Sequence, residues 1–353
     1  MSRFLNKRTE ELTPYVPGEQ THRKVLKLNT NESPYPPSPE VGKVLDFYKS
    51  VYKDLRLYPD PEAFALRDVI SDVNRTDVSR VFVGGGSDEI LGYAFMAFCE
   101  SDAYFPDITY GFYRVFANLA GVASREIPLK EDFTINPDDY NGVRGPIIIA
   151  NPNAPTGIVL PQKSIETLLS ADKNRLVIVD EAYIDFSPQN TCLPLLAKYD
   201  NLLIVRTCSK SYGLAGMRIG YAFGSPELIS DLNRVKYSFN PYNLDRVSIT
   251  VGIAAFRDQT YLRETVSKIT KTREYTAQAL SDLGFEVLPS AANFVFARRE
   301  NTDAKRLYEQ LREQGVLIRY FANVPRITDF LRISIGKDTD MKRFITVLKG
   351  LLS

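Results

Sequence analysis

Three uninterrupted apolar runs constrain this chain more than anything else in it: "GPIIIANP" (145–152), "RLVIVDEAY" (175–183) and "NLLIVRT" (201–207). None alternates with polar residues, and β-branched side chains dominate them. Runs of this kind suit strands buried on both faces, as in a parallel sheet lying under helices. The neighbouring segments fit that setting. "RVFVGG" (80–85) reads as a strand and "SDEILGYAFMAFCE" (87–100) as the helix after it, with Ser87 or Asp88 near the N-cap. "DAYFPD" is a further short strand, "YGFYRVFANLAG" (110–121) a helix closed by Gly121, and "MRIGYAFG" (217–224) another strand. The alternation predicts an α/β fold with a large, doubly wound, mostly parallel sheet.

The chain's 353 residues exceed what one core commonly serves, so a second, smaller unit is expected. The pattern changes near residue 245. "TYLRETVSKITKTREYTAQALSDLG" (260–284) reads as one long helix, and "ANFVFARR" (292–299), "VLIRYF" (316–321) and "DFLRISIG" (329–336) read as strands between helices. We therefore expect an N-terminal arm over 1–30, a large α/β domain over 31–247 and a small α+β domain over 248–353. The arm is polar, carries Pro14 and Pro17, and shows no apolar periodicity.

Composition matters here for what it excludes. A formal net charge of +1 supplies no field for nucleic acid or an anionic membrane, and no basic block stands out. The first residues lack the apolar core of a secretory signal, and no run is long enough to span a bilayer. Cys99, Cys192 and Cys208, odd in number and widely spaced, suit reduced thiols in a cytoplasmic protein. The single histidine, His22, sits in a polar segment and reads as solvated. Its isolation argues against Ser-His-Asp or Cys-His catalysis and against a metal site, so any proton chemistry falls to lysine, carboxylates or a cofactor.

Four motifs carry that chemistry. "GGGSDE" (84–89) follows a strand and opens a helix, where free amides favour an anion. It is neither a G-x-G-x-x-G fingerprint nor a Walker loop, and it reads equally as a phosphate cup or a plain turn. "NPNAPTG" (151–157) leaves a strand at the edge where open sheets bind ligands, with two prolines and a glycine fixing the loop and allowing a cis proline. In "VIVDEAY" (177–183), Asp180 continues a buried face, where a carboxylate needs a cationic partner. A protonated heterocyclic nitrogen would serve, although both acids could instead cap the next helix. In "TCSKSYGLAGMRIGY" (207–221), Lys210 follows the third strand and could attack a carbonyl, while Ser209, Ser211 and Arg218 offer donors for a phosphate. Together these parts describe a pyridoxal 5'-phosphate site, the lysine bonding the cofactor and the acid keeping its ring nitrogen protonated.

At this point the chain resembles the fold-type I aminotransferases of the aspartate aminotransferase superfamily. "YVPGE", "KLNTNESPYPPSP", "YPDP", "GGGSDE", "TYGFY", "NPNAPTG", "DEAY", "SKSYGLAGMRIGY" and "LRISIG" occur in that family's order over nearly the whole length. The resemblance implies Lys210 as the lysine that bonds the cofactor and moves the proton, Asp180 as partner of the ring nitrogen, and Tyr183 as donor to the ring hydroxyl oxygen. It implies Tyr110 stacked on the ring, and Gly86, Ser87, Asp88, Ser209 and Arg218 around the phosphate. Tyr58 would reach the cofactor phosphate of a neighbouring subunit, which implies a homodimer with shared sites. Arg332 would bind the substrate's anionic end, with Arg319, Tyr15 and Asn31 as further substrate contacts. One position departs from the pattern: where the superfamily has Asn before Pro-Thr-Gly, Ala154 stands here, and the role passes to Asn153.

The "YVPGE" and "LNTNESPY" openings are similar to the histidinol-phosphate branch of the superfamily. That implies transfer of an amino group between histidinol phosphate and 2-oxoglutarate, within histidine biosynthesis. A threonine-phosphate decarboxylase or an aromatic aminotransferase of the same fold are the rival readings. A catalytically idle relative would have no need of Lys210, Asp180, Tyr183 and Arg218 together.

Overall fold

The computed structural model describes residues 2–20 and 25–352. His22 lies outside the described residues. After an N-terminal stretch the chain forms a short strand, β1 (Leu26–Lys27), and then enters the large sheet. That sheet is built from β2 (Val81–Gly84), β3 (Asp102–Pro106), β4 (Ala123–Ile127), β5 (Ile147–Ala150), β6 (Val177–Asp180), β7 (Leu202–Thr207) and β8 (Gly220–Phe223). Their spatial order is β2-β8-β7-β6-β5-β3-β4. All neighbours run parallel except β8, which is antiparallel to both β7 and β2.

The continuous apolar runs become the middle strands because both faces of the sheet are covered. Ile147, Ile149, Val177, Val179, Leu202 and Ile204 point into one core, while Ile148, Ile178, Leu203 and Val205 point into the other. Each is fully buried. Removal from water stabilises the fold by about 1.5–3 kcal/mol per such side chain. The first core is closed by the helix Phe64–Asn74 and by Arg246–Arg257, whose Val251, Ala255 and Phe256 pack into it. The second is closed by Ser87–Phe98 and Pro226–Phe239.

The smaller sheet has the order β12-β13-β10-β9, all antiparallel. It comprises β9 (Phe285–Val287), β10 (Phe294–Arg299), β12 (Arg319–Tyr320) and β13 (Leu331–Ser334). The helices Gln259–Ser281, Ala304–Glu313 and Asp338–Leu352 cover it. Its core is separate from the two cores of the large sheet.

The borders differ from the sequence reading in two places. Helix Arg246–Arg257 packs with the large sheet, and the long helix after it crosses over: Leu262 belongs to the large core, Ile269 and Leu280 to the small one. The division thus falls within residues 262–269 rather than at 247. Residues 26–28 are not part of a free arm. β1 pairs in parallel with β11 (Val316–Leu317), and Leu26 and Leu28 are buried in the small core. The segment expected as a single strand over 316–321 is split, its first half bonded to β1 and its second to β13. Two residues are too few to display a period, which is why the arm gave no sign of β1.

Candidate active site

Parallel strands deliver their C-terminal ends to one edge, and here three such ends meet. Ala150 pairs in register with Asp180, and Asp180 with Val205. The Asn151–Gly157 loop, Asp180 and the turn carrying Ser209 and Lys210 therefore stand side by side. β8 runs the other way, so it is its beginning that reaches this edge, and Arg218, two residues before Gly220, arrives with it. The result is a cavity of about 170 Å³ lined by Ser87, Asp88, Tyr110, Asp180, Tyr183, Ser209, Lys210 and Arg218, among others.

One end of the cavity is built for an anion. The helix Ser87–Phe98 begins at Gly86 with no side-chain cap, leaving its first amides open. Gly86 has φ +89°, and a Cβ there would lie 2.4 Å from Arg218 Nη2. A Cβ on Gly220 would lie 2.3 Å from the Gly86 carbonyl carbon, so both positions require glycine for the strand to lie against the turn. Ser209 and Arg218 complete the end, with Arg218 Nη1 3.4 Å from Ser209 Oγ and Nη2 3.5 Å from Asp88. Ser211 is absent from it: its hydroxyl bonds Asp185 instead, which anchors the turn on the far side of Lys210.

The opposite end holds Asp180, only 5% exposed. Tyr113 donates its hydroxyl proton to Oδ2 at 2.9 Å, and the Ala182 amide donates to Oδ1 at 3.2 Å. No cation pairs with it among the described residues. Burial pushes its carboxyl up to about 6, against the pull of the Tyr113 hydroxyl and the Ala182 amide. The sign of the consequence follows. In the cofactor-free protein the folded state holds a proton that the unfolded chain has lost, so stability falls as pH rises from about 4 to 6. The loss approaches ~3 kcal/mol if the full shift is expressed. Denaturant midpoints of cofactor-free Asp180→Asn should gain on the parent over that interval. Parallel curves would mean that Asp180 is already compensated.

Behind this strand end, Glu181 points to the other face. It accepts the Cys192 amide and the Arg206 Nε at 2.9 Å, and Arg206 also donates to Thr191 Oγ1 at 2.7 Å. This buried pair ties the end of β6 to β7, and so fixes Asp180 relative to the turn that bears Lys210.

Between the two ends lies Lys210, with Nζ 3.4 Å from the Thr30 carbonyl oxygen and 5.7 Å from the Tyr183 ring centroid. Tyr110 is held by a 3.0 Å bond from its hydroxyl to Asp88 and stands edge-on to Tyr113. Burial raises its hydroxyl far above the ordinary tyrosine range. Tyr183 accepts a hydrogen bond from Asn31 Nδ2 at 3.0 Å.

A second cavity, of about 270 Å³, shares Thr30, Tyr110, Ala154, Tyr183 and Lys210 with the first. Arg319 and Arg332 face each other across β12 and β13, and both guanidiniums lie over the Phe321 ring, 5.9 and 5.6 Å from its centroid. Arg332 donates to the Asn29 carbonyl at 3.1 Å, yet its buried Nε has no partner. Neither arginine pairs with a carboxylate among the described residues. Tyr15 packs its ring on Phe112 at 4.9 Å and bounds this cavity from the N-terminal segment.

Asn153, expected beside the cofactor, does not line the cavity. Asn153 spends its amide on the Ile108 carbonyl and Thr156 and accepts from Thr109, all at about 3 Å, so Ala154 and Pro152 form the cavity wall there. Both Asn151–Pro152 and Ala154–Pro155 are cis. Tyr58 is 75% exposed and stacks on Tyr242, away from the cavity. Conversely, Tyr113, Asn29 and Thr30 were not singled out from the sequence. The one signal for Tyr113 is its place three residues after Tyr110 in the segment read as a helix over 110–121, of which the structure makes a helix only from Phe112.

A buried carboxylate awaiting a cation, a reactive lysine and an anion cup, on one sheet edge, define a pyridoxal-phosphate enzyme of the transferase type. The chain belongs to the aminotransferase class I and II family, whose pattern it matches over residues 23–348. It is 45% identical to a histidinol-phosphate aminotransferase of Brachyspira hyodysenteriae, over 100% of this chain and 99% of that one. It is 47% identical to a histidinol-phosphate aminotransferase of Acinetobacter baumannii, over 98% and 97%. The crystal structure of histidinol-phosphate aminotransferase from Sinorhizobium meliloti, in complex with pyridoxal-5'-phosphate, superposes with a TM-score of 0.89 at 25% identity, covering 99% of both chains.

The residues present fit pyridoxal phosphate. The glycine-lined helix start suits its phosphate, and Asp180, buried without a cation, suits its protonated ring nitrogen.

Proposed function

We propose that this protein transfers an amino group between histidinol phosphate and 2-oxoglutarate, giving imidazole-acetol phosphate and glutamate in histidine biosynthesis. The observation that carries the reading is the cross-strand pair Arg319–Arg332, two guanidiniums in the cavity that adjoins the cofactor cavity, with no carboxylate among the described residues paired to either. Such a pair favours a substrate with a phosphate or carboxylate end. The names borne by the 45–47% identical relatives favour histidinol phosphate.

When bound, pyridoxal phosphate supplies an electrophilic carbon and an electron-withdrawing ring. The chain supplies the rest. At the Gly86 turn the Ser87 and Asp88 amides, with Ser209 and Arg218, would hold the phosphate; Asp180 would keep a proton on the ring nitrogen; and Tyr183 would offer its hydroxyl to the ring oxygen. Lys210 Nζ would bond the cofactor at rest and, when freed by substrate, would carry the proton of the 1,3-shift from the substrate's amine-bearing carbon to the carbon of the cofactor. Arg332 and Arg319 hold the anionic end of each substrate in turn, and Tyr15 keeps bulk water from the reacting carbon.

A homodimer completes the reading. Tyr52, Leu55, Tyr58 and Tyr242 are exposed together on one side, an apolar surface that a second copy would cover, with Tyr58 reaching the other subunit's phosphate cup. We place the enzyme in the cytoplasm, in keeping with three free, buried cysteines.

The test is a half-reaction on purified, cofactor-loaded protein without any keto acid. Histidinol phosphate should yield imidazole-acetol phosphate in an amount equal to the enzyme. Carbon dioxide from threonine phosphate, with no product from histidinol phosphate, would move the protein to the decarboxylase reading.

A further inference from the structure

Asn31, expected as a substrate contact, lines the second cavity; it is 1% exposed and its side chain is turned toward Tyr183. Its backbone is left-handed, with φ 54°, a conformation that asparagine tolerates better than most residues. Three bonds fix it there. The Asn31 amide donates to Ser334 Oγ at 2.8 Å, the Ser334 hydroxyl donates to Asn31 Oδ1 at 2.7 Å, and Asn293 Nδ2 donates to the Asn31 carbonyl at 2.9 Å. What remains free is Nδ2, and it reaches the Tyr183 oxygen at 3.0 Å.

The direction of this chain of bonds decides where a proton goes. Ser334 Oγ already accepts the Asn31 amide, so its own hydrogen needs an acceptor, and Oδ1 provides one. Turning the Asn31 amide over would set two donors on Ser334 and leave its buried hydrogen without a partner, which is the costlier arrangement. With Nδ2 toward Tyr183, the tyrosine oxygen is an acceptor on that side. Its own proton is then free to point into the cofactor cavity. Ala154, in the wall opposite, offers no polar group that could do the same.

We infer that Asn31 is a positioning residue that aims the Tyr183 proton into the cofactor cavity, and that Ser334 sets the orientation of Asn31. The inference rests on the reading of Tyr183 as the hydroxyl beside the cofactor's ring oxygen. It assigns that oxygen one side-chain donor held from behind, in place of a second donor from the 151–157 loop. It also links the donor to the substrate end of the site, because Ser334 and Arg332 share β13.

The groups facing Tyr183 from the surrounding elements are Lys210, Arg332, Tyr110 and Tyr113. All of them are kept in the variants below. The lead substitution is Asn31→Asp, which preserves size and the left-handed backbone but cannot donate. Its carboxylate would take the Tyr183 proton for itself.

The readout is the pH midpoint of the visible absorbance of pyridoxal phosphate bound to the intact protein. A donor on an ionised ring oxygen favours the deprotonated form of the bound cofactor, so its loss raises the midpoint. Tyr183→Phe should raise it by about 1 pH unit and Asn31→Asp by about 1–2, with Ser334→Ala giving a smaller rise in the same direction. In a Tyr183→Phe background, Asn31→Asp should lose most of its effect, because there is no proton left to redirect. A parental midpoint in Asn31→Asp would overturn the role of Asn31 and leave that of Tyr183 standing. An undiminished shift in the double variant would show a charge effect alone and overturn it too. No shift in Tyr183→Phe would overturn the Tyr183 reading, and the inference with it.

Discussion

Replacing Lys210 with alanine is expected to slow amino transfer in a single turnover by about 10⁴-fold or more, with the thermal midpoint little changed. The two parts of this expectation have separate physical grounds. The rate falls because Lys210 lines the cavity with the anion cup and Asp180, and no other lysine among the described residues does. The fold survives because the side chain ends in a cavity and makes one long bond, 3.4 Å to the Thr30 carbonyl. The turn around it is held by other contacts: Ser209 accepts from Thr207, Ser211 bonds Asp185, and the Leu214 amide returns to the Cys208 carbonyl. Rapid-quench measurement of product, beside a melting curve, checks both. Turnover near the parental rate in a folded variant would remove Lys210 from the chemistry.

Arg332→Ala carries the second large effect. It should lower kcat/KM for histidinol phosphate and for glutamate alike, by about 10²–10³-fold, most of it as raised KM. The reason is the state of the guanidinium: one of its five N–H donors goes to the Asn29 carbonyl, while the buried Nε has no partner. Burial holds its acidity above that of an ordinary arginine, so an anion that pairs with it relieves a cost already present. Arg319→Ala should cost less, since Arg319 is more open to water and donates to the Val16 carbonyl. Steady-state kinetics with both substrates decide the matter. KM values that do not move for either one would mean that a different residue anchors the anionic end.

Much of this architecture was legible because its strands are buried on both faces. Where every residue of a strand must be apolar, the first polar residue marks the strand end, and in this fold the strand ends are the site. Asp180, Lys210 and the glycine turn could be placed on one edge for that reason alone. The direction of side chains within irregular backbone follows no such rule. Asn153 and Ala154 are adjacent in "NPNAPTG", and only the folded loop shows that alanine faces the cavity while asparagine serves the loop. Ser209 and Ser211 flank Lys210 symmetrically in the sequence, yet one meets the anion cup and the other Asp185. Asn31 is a harder case, because its function depends on Ser334 and Tyr183, partners far apart in the chain. Which core the helix Arg246–Arg257 covers was not legible either, because its amphipathic pattern would be the same against both.

The pairing of β1 with β11 bears on how the chain is made. Leu26 lies opposite Val316, and the backbone of Leu28 bonds Leu317 on one side and Ser334 on the other. During synthesis, the segment around Leu26 leaves the ribosome first and has no partner until the last part of the chain follows. The large sheet, complete once β8 has emerged, can close in the meantime. The small domain cannot, because one of its strands waits from the beginning and the rest arrive at the end. Asn31 and Thr30 follow directly on that early strand, so the cofactor cavity gains the wall that steadies Tyr183 and Lys210 only when the segments around Leu26 and Val316 join.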